Sequence, residues 1–170
     1  MATKRDFSEE EWHILRDAPH LVVIAVAAAG ASGLFGSLKE AIAPAGAIIE
    51  ALKGDNALLR EICHKDEIRA AVDEIKDEAK SANLESIRDT FRDAAKSRAR
   101  SALEILKEKG RPEDVKAYGD FLMTLAERVA NAAKEGSFLG FGGERFSEPE
   151  RALLAELGQV LGRETGILEA

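Results

Sequence analysis

No side chain from Ala18 to Leu38 carries a full charge. A run of that length could cross a bilayer, and otherwise it must be hidden inside a folded protein. Its composition separates the two cases. The first half, Leu21-Val22-Val23-Ile24-Ala25-Val26, is apolar on every face of a helix, whereas Ala27 to Ser37 is mostly Ala, Gly and Ser. Segments on both sides are amphipathic and rich in charge. The reading is therefore a buried central helix rather than a membrane span.

The remaining chain gives that helix partners. Sustained alternation of β-branched residues is absent, and Ala, Leu, Glu and Lys dominate. Phe7-Ser8-Glu9-Glu10-Glu11 marks a helix start: Ser8 caps, Glu11 completes a capping box, and Phe7 can staple onto Trp12. Pro19 predicts a kink or a restart. Gly30, Gly33 and Gly36 mark a connection or a close helix contact, and a helix follows from about Leu38 to Leu52, disturbed at Pro44. Apolar residues then recur at helical spacing from Leu58 to Ala79, with a break near Asp66, and again from Leu84 to Leu106. Lys109-Gly110 ends that helix and Pro112 opens the next, whose stripe is Val115, Tyr118, Leu122, Leu125 and Val129. A Gly-rich loop spans 136–146, and the last helix runs from Ser147 to about Gly162. These observations predict an all-α, single-domain bundle of about six helices over 1–170, with a buried apolar central helix.

Charge and cysteine content limit the function. With 24 Lys and Arg against 31 Asp and Glu, the net charge is −7, which disfavours nucleic acid and anionic lipid as partners. Arg88, Arg92, Lys96 and Arg100 recur every four residues, but Asp89, Asp93, Glu104 and Glu108 interleave, so a solvated face with i,i+4 pairs is expected. A single cysteine, Cys63, excludes an internal disulfide and a Cys-only zinc site and suits a reducing compartment. Asp6, Glu9, Glu10 and Glu11 are the wrong charge for a signal peptide. A cytoplasmic protein is expected.

Two segments echo one another. Val26-Ala27-Ala28-Ala29 and Val129-Ala130-Asn131-Ala132 each precede a Gly-rich turn and then a helix carrying an acid, Glu40 or Glu150. The echo outlines helix–Gly turn–helix units near 8–52 and 113–162, a candidate duplication. In these stretches, Ala25 through Glu40 and Val129 through Leu154, the chain resembles the TerB-like family of all-helical proteins, named for tellurite resistance. The resemblance implies a compact cytoplasmic helical bundle, with a metal site at acidic residues beside the turn. That role would fall to Glu40 or Glu150, together with a histidine. The family's turn carries an Asp before its Gly, whereas Ala29-Gly30-Ala31-Ser32-Gly33 and Phe138-Leu139-Gly140-Phe141-Gly142-Gly143 contain no carboxylate.

Catalytic signatures are missing. Glu10/His13 and Glu61/His64 have the Glu-x-x-His spacing of di-iron bundles, but both lie in polar surroundings. The glycines at 140, 142 and 143 lack the Lys-Ser/Thr of a phosphate loop and follow a helix rather than a strand. His20, next to Pro19 and the apolar run, suits a buried hydrogen bond or a ligand contact, and Phe138 and Phe141 suit a loop that lids one end of the bundle. The leading expectation is a non-enzymatic interaction module that self-associates or binds a protein partner through an apolar face between residues 21 and 49, with no cofactor. The alternatives are a small-molecule or lipid pocket between the 21–29 helix and the 136–146 loop, lined by His20, Phe138 and Phe141, and a metal-binding stress-response protein using Glu40 and Glu150.

Overall fold

The computed structural model describes residues 1–30, 38–80, 87–136 and 147–163, except for the side chains of 38–43, 78–80, 87 and 133–136. The chain forms a single-domain all-α bundle. A 3₁₀ turn at Lys4–Asp6 precedes α1 (Glu9–Ala29), α2 (Leu38–Lys53), α3 (Ala57–Ile62), α4 (Lys65–Lys80), α5 (Ile87–Lys109), α6 (Pro112–Gly136) and α7 (Glu148–Leu161). No strand occurs among the described residues, and none of their helices is long and apolar enough to cross a membrane.

Helix ends follow local chemistry. Ser8 accepts from the Glu11 amide at 3.2 Å while the Glu11 carboxylate accepts from the Ser8 amide at 2.7 Å. Phe7 lies against Trp12, ring centroids 6.4 Å apart. Asn56 caps α3 through the Leu59 amide, and Ser147 with Glu150 repeats the capping box at α7. Gly162 ends α7 at φ 63°, where an L side chain would be strained.

The core gathers around α1. Leu15, Ala18, Leu21, Val22, Ala25 and Val26 are all buried, in agreement with a buried apolar central helix. Helix α5 runs antiparallel to α1, placing Lys109 on Glu11, and packs over most of its length. Helix α6 runs parallel to it, with Tyr118 at the level of Leu15. Helices α2 and α7 cover the flanks of α6.

Two expectations need correction. The sequence pattern predicts a break near Asp66, and the break falls just before it, at Cys63–His64, producing separate helices α3 and α4. Counting them apart makes seven helices. Pro19, expected to kink or restart its helix, does not restart it: α1 runs through it without a break. A proline has no N–H for the carbonyl four residues back, here Leu15. The Tyr118 hydroxyl, fully buried on α6, donates to that carbonyl at 2.7 Å. A side chain from 103 residues away thus replaces the hydrogen bond that the helix cannot make.

Besides Glu150 at the start of α7, buried charge among the described residues lies at two interfaces. Asp114, fully buried, accepts from the Ala2 amide at 2.9 Å, the Arg111 amide at 3.1 Å and Asn56 Nδ2 at 3.3 Å. It ties the N-terminal segment and the α3 cap to the start of α6. Arg16 pairs with Asp17 at 2.6 Å and with Glu74 of α4. Burial pushes the Asp17 carboxyl up despite Arg16 beside it.

Candidate functional site

A cavity of about 50 Å³ opens where five helices meet. Helix α1 contributes Pro19, His20 and Val23; α2 contributes Pro44 and Ile48; α6 contributes Phe121 and Leu125. Ile62 and Cys63 from the end of α3, with Ile68 of α4, complete the wall. Both helix-interior prolines of the chain, Pro19 and Pro44, face this space. The polar side chains among the lining residues are His20 and Cys63.

Both could carry chemistry. Burial, assisted by the neighbouring Arg16 guanidinium, holds the His20 imidazole at about 4, well below its usual range. It is therefore neutral at physiological pH, with one N–H and one bare nitrogen. His20 makes no hydrogen bond among the described residues, so the buried hydrogen bond considered from sequence is not formed there. Burial alone pushes the Cys63 thiol up to about 12. A thiol so far from ionisation is a poor nucleophile. The cavity therefore offers a neutral imidazole, a neutral thiol and aliphatic walls, an arrangement suited to holding a small uncharged molecule rather than to acid–base or nucleophilic catalysis.

The other candidate residues lie elsewhere. Phe138 and Phe141 are outside the described residues, as is the rest of the 137–146 segment. Glu40 lies on α2 with its side chain outside the description. Glu150 is buried at the start of α7, against the end of α1. Its Oε2 accepts from the Ser147 amide at 2.9 Å and the Ser147 hydroxyl at 2.7 Å, whereas Oε1 has no hydrogen-bond partner among the described residues. Gly30 lies beside it: a Cβ there would sit 3.4 Å from both Glu150 Oε1 and the Ala27 carbonyl oxygen, an ordinary contact.

Neither Glu-x-x-His pair converges. His13 Nδ1 lies 3.6 Å from Glu74 Oε1, and His64 sits in the open 3.5 Å from Asp66. Glu61 accepts from the Lys4 amide. No group of three or more His, Cys, Asp or Glu side chains among the described residues could hold a metal ion. The basic row of α5 pairs both within the helix and across to α7: Lys96 lies 3.2 Å from Asp93, and Arg92 and Lys96 both pair with Glu156 of α7, the latter at 3.0 Å.

One surface overlaps the end of the apolar face expected between residues 21 and 49 and extends past it to Leu52. Helix α2 is apolar on two faces. Its inner face buries Pro44, Ala47 and Ala51. Its outer face carries Ala45, Ile49 and Leu52, spaced four and three apart, with Ile49 48% and Leu52 41% exposed. Apart from Met1, these are the exposed large hydrophobic residues among the described part of the chain. The signal was present in the sequence as a second helical stripe offset by one residue from the first. Comparison with the models of known protein families, with curated proteins and with solved structures finds no match to this chain.

Proposed function

We propose that this chain is a non-enzymatic helical module that works by pairing with a second copy of itself through the outer face of α2. The observation that carries the reading is the exposed stripe Ala45, Ile49, Leu52 on a helix whose opposite face is already packed in the core. In the sequence the same spacing continues back to Ile42 and Leu38. The stripe is close to a palindrome about Ala45: Ile42 and Leu38 on one side, Ile49 and Leu52 on the other. Two antiparallel copies of α2 would cross at the small Ala45, with Ile49 and Leu52 of each laid along the other copy. A two-fold contact demands such self-complementarity. Single exposed apolar residues are ordinary, but a continuous row of them favours an interface. The lone buried thiol suits a reducing compartment, and we place the module in the cytoplasm.

Size-exclusion chromatography with light scattering tests this. The wild-type chain is expected to run as a dimer at tens of micromolar, and Ile49→Glu with Leu52→Glu as a monomer of unchanged helical content. A wild-type chain that stays monomeric at millimolar concentration, or a dimer indifferent to both substitutions, refutes it.

A second reading is a cation site of the TerB-like kind at the junction of α1 and α7. It is supported by Glu150 Oε1, buried and unpaired among the described residues beside the carbonyl end of α1. A helix C-terminus favours positive charge. Elemental analysis of gently purified protein, compared with Glu150→Gln, tests it; equal and negligible metal content in both would dispose of it.

A further inference from the structure

We infer that the cavity between Pro19 and Pro44 is a binding site for one short, uncharged aliphatic molecule carrying a single hydroxyl or carbonyl group, with His20 as its hydrogen-bond partner. The inference is independent of self-association, because the cavity lies on the core side of α2 and the proposed contact on its outer side.

Four observations lead to it. The first is size. A cavity of about 150 Å³ admits benzene, and one of about 50 Å³ suits a guest of about two to four non-hydrogen atoms. The second is the wall. Val23, Ile48, Ile62, Ile68 and Leu125 present aliphatic carbon, which rewards a short alkyl group. The third is charge. No Lys, Arg, Asp or Glu lines the cavity, and its one imidazole and one thiol are both neutral at physiological pH. An ionic guest would lose its hydration with no counter-charge in the wall. The fourth is the free valence of His20. Its ring lines the cavity, is partly buried and bonds to nothing among the described residues, and neither nitrogen is a buried unpaired atom, so a guest with one hydroxyl or carbonyl takes the place of solvent at the imidazole. A purely apolar guest would fill the space without a bond to it.

The probes are ethanol and propan-2-ol, with acetate as the charged counterpart, titrated into full-length protein labelled at isoleucine δ1 methyls. Ile48, Ile62 and Ile68 line the cavity, and Ile14 and Ile105 report bulk solvent effects elsewhere in the bundle. The alcohols are expected to shift the three cavity methyls saturably, with a dissociation constant in the millimolar range that suits so few atoms, while Ile14 and Ile105 move only linearly. Acetate should bind at least tenfold more weakly. His20→Leu should weaken the alcohols by about fivefold while the protein stays folded, and Val23→Phe, which fills the space from its partly exposed rim, should abolish saturation. Should Val23→Phe fail to fold, Ile48→Phe serves the same purpose. Linear shifts of all five methyls would overturn the inference, as would acetate binding equal to ethanol or an alcohol affinity unchanged in His20→Leu.

Discussion

Replacing Tyr118 with Phe removes one oxygen and should cost this bundle about 2 kcal/mol. The Tyr118 hydroxyl is fully buried and donates to the Leu15 carbonyl at 2.7 Å. In an ordinary helix that carbonyl would also accept from the residue-19 amide, and losing the tyrosine would leave it partly satisfied. Here residue 19 is proline, so the carbonyl would be left buried with no donor. An orphaned buried acceptor costs about 1–3 kcal/mol. For a domain of this size about 2 kcal/mol corresponds to a fall in Tm of about 4–8 °C. Urea unfolding followed by helical circular dichroism measures it, as a lower midpoint at constant slope. Because the argument rests on the proline, the decisive measurement is a double-mutant cycle with Pro19→Ala. Alanine restores the amide, so Tyr118→Phe in that background should cost about 0.5–1 kcal/mol, the range of an ordinary intramolecular hydrogen bond, leaving a coupling of about 1 kcal/mol. A cost of Tyr118→Phe that is the same in both backgrounds would refute the reasoning and assign the whole effect to packing.

Three further outcomes follow from other buried groups. Asp114→Ala strands the Ala2 and Arg111 amides and the Asn56 side chain; a loss of about 2–4 kcal/mol is expected in urea, and a change below about 0.5 kcal/mol would contradict the role given to Asp114. His20 takes up its proton at about 4 in the fold against 6.5 ordinarily, so between those values the unfolded chain binds more protons. Its contribution to stability is complete above pH 6.5 and is lost as pH falls to about 4, by about 3 kcal/mol at the low end. His20→Leu should flatten the pH dependence of the urea midpoint over that window relative to wild type, and an identical slope would count against the buried neutral imidazole. Gly162→Ala, at φ 63°, should cost about 1 kcal/mol through αL strain, read as a shift in Tm of about 2–4 °C.

The parts of this fold that could be read from sequence are those whose causes lie within a few residues. Ser8 with Glu11, Ser147 with Glu150, Lys109-Gly110 before Pro112, and Phe7 against Trp12 are local contacts, and each is found as the spacing implies. The misreadings involve partners distant in sequence. Pro19 looked like a break because the donor that rescues Leu15 lies on α6. Lys96 pairs within its own helix, with Asp93, as expected, but the carboxylate that it shares with Arg92 is on α7. His20 could be singled out because it stands alone beside an apolar run. That it shares a cavity wall with Cys63, Pro44 and Phe121 follows only once α1, α2, α3 and α6 are assembled.

The two prolines connect the misread backbone to the candidate site. A proline inside a helix leaves one carbonyl without its amide and carries no donor of its own. At Pro19 the carbonyl is repaired from the far side by Tyr118, while the ring itself faces the cavity, as does that of Pro44. A wall built with two proline rings gains rigid apolar surface from α1 and α2. Water entering such a space would find little to bond beyond His20 and the weakly polar Cys63 thiol, whereas a guest with an alkyl body and one polar end meets both kinds of surface at once. Selectivity for uncharged molecules then rests on the absence of Lys, Arg, Asp and Glu from the wall, to which the proline rings add only apolar surface. Substituting either proline by alanine, whose amide bonds within its own helix, should leave the gap between ethanol and acetate binding intact, and a narrowed gap would show that the proline rings set it.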